Sequence, residues 1–493
     1  MKKKINILVA CIIAFFIIAC RQEVYLENPE NYFDMTGNSS VEWSTIFEGF
    51  WTGMNTNYVF WDVDQTDWDL VYDIYKPKFE ALGPVGDTIS DSIADKVIGY
   101  FQKMCSDLVD ARFNIYSFYF GGMADKGIDI SPAYERYFKS FPDAGSYYQS
   151  DYYAETMDAM PMDNYFFRAI ENSIDNDLYH IGGYLDVVTG YRKMANPYGA
   201  VLYLYFSVIS WTKYFQSFYD AFPGGMNDAR YLAIDNAIMS YYSITTASSK
   251  VREIVSGNNR GVSYYLAENY SEFGLSDSEW WNLIQTRCEI DHFNYFFDQL
   301  ENGQLVDGTP VIGGIVDIRG NNGGDIEDLS TLWGRIVPHD WVFAKTKYKS
   351  GENRLDYTPP MDLTIFKAPL TKSVTDIPLV LVVNKKPSSF SELSALFFKS
   401  IPNGYVVGGT TWGGSGLEMT IAPTQFHAGT FYTGYNKLIE VNTSFAQILT
   451  LQGESLEGKG VEPDYFVPFV YSNMMARRDD RLEKAIEVIL ANR

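Results

Sequence analysis

Along the first hundred residues, apolar positions recur at intervals of three and four. Trp43, Phe47, Phe50, Trp51 and Met54 share one helical face. Asp67-Trp68 opens a second helix with Leu70, Val71 and Ile74 inside, and Pro77 marks its end. A third helix is expected over residues 91–109, and Phe113 to Phe120 as a strand. Between 125 and 200 the pattern is irregular, rich in Tyr, Asp, Met and Gly, with short strands such as Ile181 to Val188. Val201 to Ile209 is an unbroken apolar run, as in a strand covered on both faces. The interval to the next such run is longer than a simple crossover needs. It holds helical patterns near 228–253 and 277–300, the latter with Trp281, Ile284, Phe293, Phe296 and Leu300 in phase. Residues 213–276 therefore form an insertion, a candidate lid. From Pro310 strand and helix alternate: strand 311–318, helix 326–336, strand 378–383, helix 390–400, strand 404–408. An amphipathic helix closes the chain at 479–492. Such alternation predicts an α/β fold with a mainly parallel sheet, preceded by a helical domain.

The first residues set the compartment. Lys2, Lys3 and Lys4 precede the apolar run Ile5 to Ile18, which is short for a membrane span and ends at Ala19-Cys20. This is the form of a bacterial lipoprotein signal peptide, residues 1–19, with Cys20 as the lipid anchor and 20–40 as a polar tether. The expectation is a cell-envelope lipoprotein on the outer membrane of a Gram-negative bacterium, on its periplasmic or surface face. Removing 1–19 leaves 493 − 19 = 474 residues and takes the formal charge from −23 to −26, since three lysines and no acids are lost. That acidity argues against nucleic acid as a partner. Besides Cys20 only Cys105 and Cys288 remain, too few for a disulfide framework. No histidines stand at metal-ligand spacing, and Gly320-Asn-Asn-Gly-Gly324 lacks the lysine of a phosphate loop, so neither metal nor cofactor is expected. Asp62-Val-Asp-Gln-Thr-Asp67 lacks the glycine and final glutamate of a calcium loop and reads as helix-capping acids.

Two stretches carry candidate chemistry. Asp317-Ile-Arg-Gly-Asn-Asn-Gly-Gly324 follows a strand and has a glycine-rich turn whose N–H groups can converge. Asn384-Lys-Lys-Pro-Ser-Ser-Phe-Ser-Glu392 follows another strand and places Ser389 at a helix start, where free amides and the helix dipole favour negative charge. A nucleophile beside an oxyanion pocket needs that pairing. Ser389-Phe-Ser-Glu392 is also a capping box, in which Glu392 reaches back to the helix start.

Read with Val406-Val-Gly-Gly-Thr-Thr-Trp-Gly413, these words resemble the tail-specific (C-terminal processing) serine peptidases, peptidase family S41, which include the tricorn core protease. The resemblance implies a ClpP/crotonase-like core over 201–475, a helical cap at 41–125 and a C-terminal helix at 476–493. Many members carry a PDZ domain near 126–200, but no Gly-Leu-Gly-Phe-like loop marks one here. It further implies that Ser389 is the nucleophile, that Phe390 N–H and Gly323 or Gly324 N–H form the oxyanion pocket, and that the substrate is a polypeptide. One branch of the family has a lysine base after the Val-Val-Gly turn, where this chain has Gly414. The tricorn-like branch has a histidine at the end of the cap, where Leu108-Val-Asp-Ala-Arg-Phe113 places Arg112. Arginine stays protonated and is not a base. The branch's glutamate is kept as Glu457, ahead of Gly460-Val-Glu-Pro-Asp464. An Arg112–Glu457 ion pair would then stand in the base's place. His180, His292 and His339 fit packed positions, Lys385 and Lys386 point outward, and His427 is the reserve base. Two functions follow: a serine endopeptidase acting through Ser389, or a degenerate member that binds peptides or glycans without cleaving them.

Overall fold

The computed structural model describes residues 41–85, 89–118, 130–132, 179–181, 187–195, 197–206, 295–321, 323–324, 328–369, 371–385, 389–417, 429–433 and 438–493, with the isolated positions 174, 229, 232, 293 and 326. Cys20, His292, His427, Lys386 and the 213–276 insertion (apart from positions 229 and 232) lie outside them. No described helix is long and apolar enough to cross a membrane. The chain divides into two compact units, one from 1–133, 348–358 and 418–446, the other from 134–347, 359–417 and 447–493.

The first unit contains helices α1 (Trp43–Asn57), α2 (Trp68–Glu80) and α3 (Asp91–Met104). A three-stranded antiparallel sheet accompanies them. Strand β11 (Ile439–Asn442) lies between β1 (Asn114–Phe118) and β10 (Thr430–Thr433). Its core is aromatic: the Phe50 ring meets Phe101 edge-on at 4.8 Å, and Phe47 stacks on Phe79 at 5.0 Å. A Cβ on Gly53 would stand 2.3 Å from the Phe431 ring, so only glycine lets β10 lie this close to α1. Helix α2 differs from the sequence expectation. Its inner face is Trp68, Tyr75 and Phe79, while Leu70 and Ile74 are 51% and 43% exposed. The large rings remove more apolar area from water than the two aliphatics, and they set the helix rotation. Pro77 lies inside α2, which runs three residues further. Helix α3 ends at Met104, short of 109, with Cys105 as its C-cap donating its N–H to the Phe101 carbonyl.

The second unit is built on a seven-stranded sheet. Its order is β13 (Tyr465–Phe466), β9 (Gly404–Gly408), β8 (Leu379–Val383), β5 (Val311–Asp317), β4 (Tyr198–Phe206), β3 (Val187–Ala195) and β2 (Tyr179–Ile181). Pairings from β13 through to β4 are parallel, and β4–β3–β2 are antiparallel. The mainly parallel α/β architecture is thus present. Strands β4, β5 and β8 are buried almost throughout, which explains their continuous apolar sequences. Ile181 to Val188 is not one strand: β2 and β3 pair antiparallel, with Ile181 opposite Val187. Helix α5 (Phe390–Ser400) covers one face, where Phe397 stacks on Trp333 of α4 (Asp328–Trp333) at 6.2 Å. After α6 (Tyr471–Met475), α7 (Asp480–Asn492) covers the other, with Ile489 against Gly313. A second sheet has the order β12 (Ala446–Leu449), β6 (Trp341–Tyr348), β7 (Met361–Ile365).

Candidate active site

Parallel strands β5 and β8 are neighbours, so their C-terminal ends present successive loops on one edge of the sheet. The loop after β5 holds Arg319 to Gly324, and the loop after β8 leads to Ser389. Gly320 N–H donates to Asn384 Oδ1 at 3.2 Å, and Ser391 Oγ donates to Asn321 Oδ1 at 3.3 Å. The structure therefore brings the glycine-rich turn to the first turn of α5, two residues beyond Ser389.

Ser389 stands immediately before α5 with φ 56° and ψ −108°. It is one of three non-glycine residues with positive φ among the described residues. An N-cap residue is normally extended and turns its oxygen onto the helix amides. Ser389 is not extended and makes no side-chain cap bond, so the capping box does not form. Its strained backbone is held from outside, by a 2.7 Å hydrogen bond from Ser389 N–H to the Gly414 carbonyl. Position 414 is thus directly against Ser389.

Glu392 reaches away from the helix start. Its buried carboxylate accepts from Thr411 Oγ1 and, at 2.6 Å, from Gly413 N–H. Burial pushes its pKa up to about 7, against the lowering effect of these donors. Thr411 is doubly used, since its hydroxyl also accepts from Val461 N–H at 2.7 Å. The carbonyl of Gly413 accepts from Gly458 N–H at 2.9 Å. One carboxylate so ties helix α5 to the loop that grips Ser389 and to the loop carrying Glu457.

Glu457 is buried, and its Oε2 accepts from Ser415 N–H (2.8 Å), Ser415 Oγ (2.8 Å) and Gly416 N–H (2.9 Å). Ser415, Thr411 and Asn321 are site residues that the motifs do not single out. A serine directly after Gly413-Gly414 was the available signal for the first. The glycine turn is braced from below by Arg319, which pairs with Asp317 at 2.5 Å and with Asp479 at 2.6 Å, all three fully buried. Burial alone would raise the Asp479 carboxyl, but the Arg319 guanidinium holds it below its usual range. Tyr203 Oη donates to Asp317 Oδ2 at 2.9 Å.

The other predicted residues have these contacts. Gly323 is buried with φ 109° and its N–H donates to Asn321 Oδ1 at 2.8 Å, while Gly324 is exposed. Arg112 belongs to the first unit, where its N–H donates to Asp110 Oδ1 at 2.8 Å. Asp110 is itself buried and accepts from Ser444 N–H and Oγ, both at 2.7 Å. Burial raises its carboxyl pKa despite those donors. His339 stacks on Trp341 and touches the Asp340 carbonyl at 2.7 Å through Nδ1.

A strained serine at the start of a helix, with a glycine turn beside it at the end of a parallel sheet, is an arrangement that can hold a nucleophile next to backbone donors. Comparison with known proteins shows what the chain is similar to. Residues 291–467 match Peptidase family S41, and residues 39–87 match the Tricorn protease C1 domain. The chain is 27% identical over 182 residues to the tricorn protease of Thermoplasma volcanium, a match covering 36% of this chain and 15% of that relative's length. A solved structure of a candidate peptidase from Parabacteroides merdae superposes with a TM-score of 0.52 at 18% identity, covering 92% of this chain and 98% of that one. The chain is thus similar to S41 peptidases over residues 291–467 and to the tricorn C1 domain over residues 39–87, the two regions whose motifs carry the resemblance.

Proposed function

We propose that this protein is a serine peptidase of the tail-specific class, acting on polypeptide chains through Ser389. The carrying observation is the backbone of Ser389: strained, gripped by Gly414, and with its hydroxyl not used to cap the helix it precedes. Such strain is kept where the surroundings over-determine it, as at nucleophiles on strand-to-helix turns. In this reading the Ser389 hydroxyl oxygen attacks a peptide carbonyl, its proton passes to the departing amine as the C–N bond breaks, and water then releases the acyl group as a carboxylic acid while a water proton returns to the serine oxygen. Phe390 N–H, free of any intrahelical acceptor at the first helical position, stabilises the oxyanion. Incubation with an unfolded polypeptide should yield fragments that Ser389→Ala does not produce. Intact polypeptide in both samples would contradict the proposal.

A second reading, peptide or glycan binding without cleavage, has its own support. Arg112 and Gly414 stand at the two positions where the family keeps a base, and neither can accept a proton at neutral pH. Under that reading the wild type does not turn the peptide over, and Arg112→His creates turnover by supplying a general base. Under the first, the same exchange leaves the rate within about 2-fold, because another group already serves as base. Turnover of the two chains on one fluorogenic peptide separates them. The lipid anchor at Cys20 and an outer-membrane location belong to the same proposal. Labelling with a radioactive fatty acid, lost in Cys20→Ala, checks them.

A further inference from the structure

The Asn321 side chain is fully buried and only half used by the protein around it. Its Oδ1 accepts from Gly323 N–H at 2.8 Å and from Ser391 Oγ at 3.3 Å. Its Nδ2 is buried with no hydrogen-bond partner among the described residues. The amide cannot be turned over to repair this, since NH2 would then face the Gly323 N–H, donor against donor. Buried donors without acceptors are rare in native proteins, and catalytic use is one of the few explanations for keeping one. The same contact removes an alternative. An amide N–H has one hydrogen, and that of Gly323 is already given to Asn321.

We propose that the Asn321 side-chain amide, through Nδ2–H, is the second oxyanion donor of this site, in place of the Gly323 N–H. Asn321 is thereby a catalytic residue, and the proposal rests on the reading of Ser389 as nucleophile. Two attachments locate the carboxamide: Ser391, on the first turn of α5, and Gly320, pinned to Asn384 at the end of β8. When Ser389 Oγ attacks, the Oγ–C bond forms and the C=O electron pair moves onto oxygen. Phe390 N–H and Asn321 Nδ2–H then share that charge. A neutral amide with its oxygen tied down needs little rearrangement to do so.

Asn321→Asp tests this with little change of shape. The carboxylate keeps both acceptor contacts and the turn they hold, and it replaces the donor with a buried negative charge that repels an oxyanion. A fluorophosphonate probe reports on the same oxygen position: Oγ–P forms, P–F breaks, fluoride leaves, and the serine proton passes to solvent. The expected result is wild-type labelling at Ser389, slowed about 100-fold in Asn321→Asp, with the melting temperature within a few degrees of wild type. Equal labelling rates in the two chains overturn the Asn321 assignment and leave Ser389 standing. Absence of labelling in the wild type overturns the nucleophile reading itself. A second measurement does not depend on the variant folding. In the wild-type chain labelled with 15N-asparagine, the Asn321 NH2 proton resonance should move downfield on adduct formation, and an unmoved resonance contradicts the proposal.

Discussion

Glu392 sits where water does not reach, and four protein donors do not fully replace the lost hydration, so its carboxyl pKa rises from 4.5 to about 7. The sign follows from linkage. A carboxyl whose pKa is higher in the folded state stabilises most below the unfolded value, and that contribution is lost as pH climbs from about 4.5 to about 7. The folded chain should thus lose on the order of 3 kcal/mol through this one group across that window. Urea denaturation at pH 5 and pH 8 should show the loss in wild type and a smaller one in Glu392→Gln; equal losses contradict the assignment. Ser389, Phe390, Glu457, Arg112 and Gly414 were all legible as positions in motifs. Ser415 and Asn321 were not, because what distinguishes them is a hydrogen bond to a partner that the pattern does not name.

At the level of elements, close backbone approach decides which glycines matter. Gly408 ends β9 at φ 133°, and a Cβ there would stand 1.9 Å from the Val383 carbonyl oxygen at the end of β8. Gly408→Ala should therefore cost about 2 kcal/mol or more. Gly99, inside α3 with nothing within 4 Å of its would-be Cβ, should gain about 0.5–1 kcal/mol as alanine. Thermal melts of the two variants check both directions. Strands β5 and β8 and helix α5 were readable because each is buried over most of its length, and β9 because its second half, Val406 to Gly408, is. Strands β6 and β7 were not: Trp341-Val-Phe-Ala-Lys-Thr-Lys-Tyr348 mixes charge into its alternation, and only Ile365 of β7 is fully buried. The turn after β5 has a stronger brace than its glycines suggest. Arg319→Met would leave the Asp317 and Asp479 carboxylates buried without their cation, a loss of about 3–5 kcal/mol measurable by chemical denaturation.

Over the whole molecule, chain order is a poor guide to where residues end up. The first unit takes β10 and β11 from more than three hundred positions downstream, pairing Asn114 with Asn442. Helical periodicity at 43–104 could reveal the helices but not the strands that complete their core. The catalytic-class motifs were legible for the opposite reason: each lies at the end of a parallel strand whose neighbour carries the next one. The proposed activity and the Asn321 donor both require a chemically reactive Ser389. Mass spectrometry after fluorophosphonate treatment is the most direct test. The account predicts an adduct on the peptide containing Ser389, absent from Ser389→Ala; an unmodified Ser389 in the folded wild-type chain would contradict it.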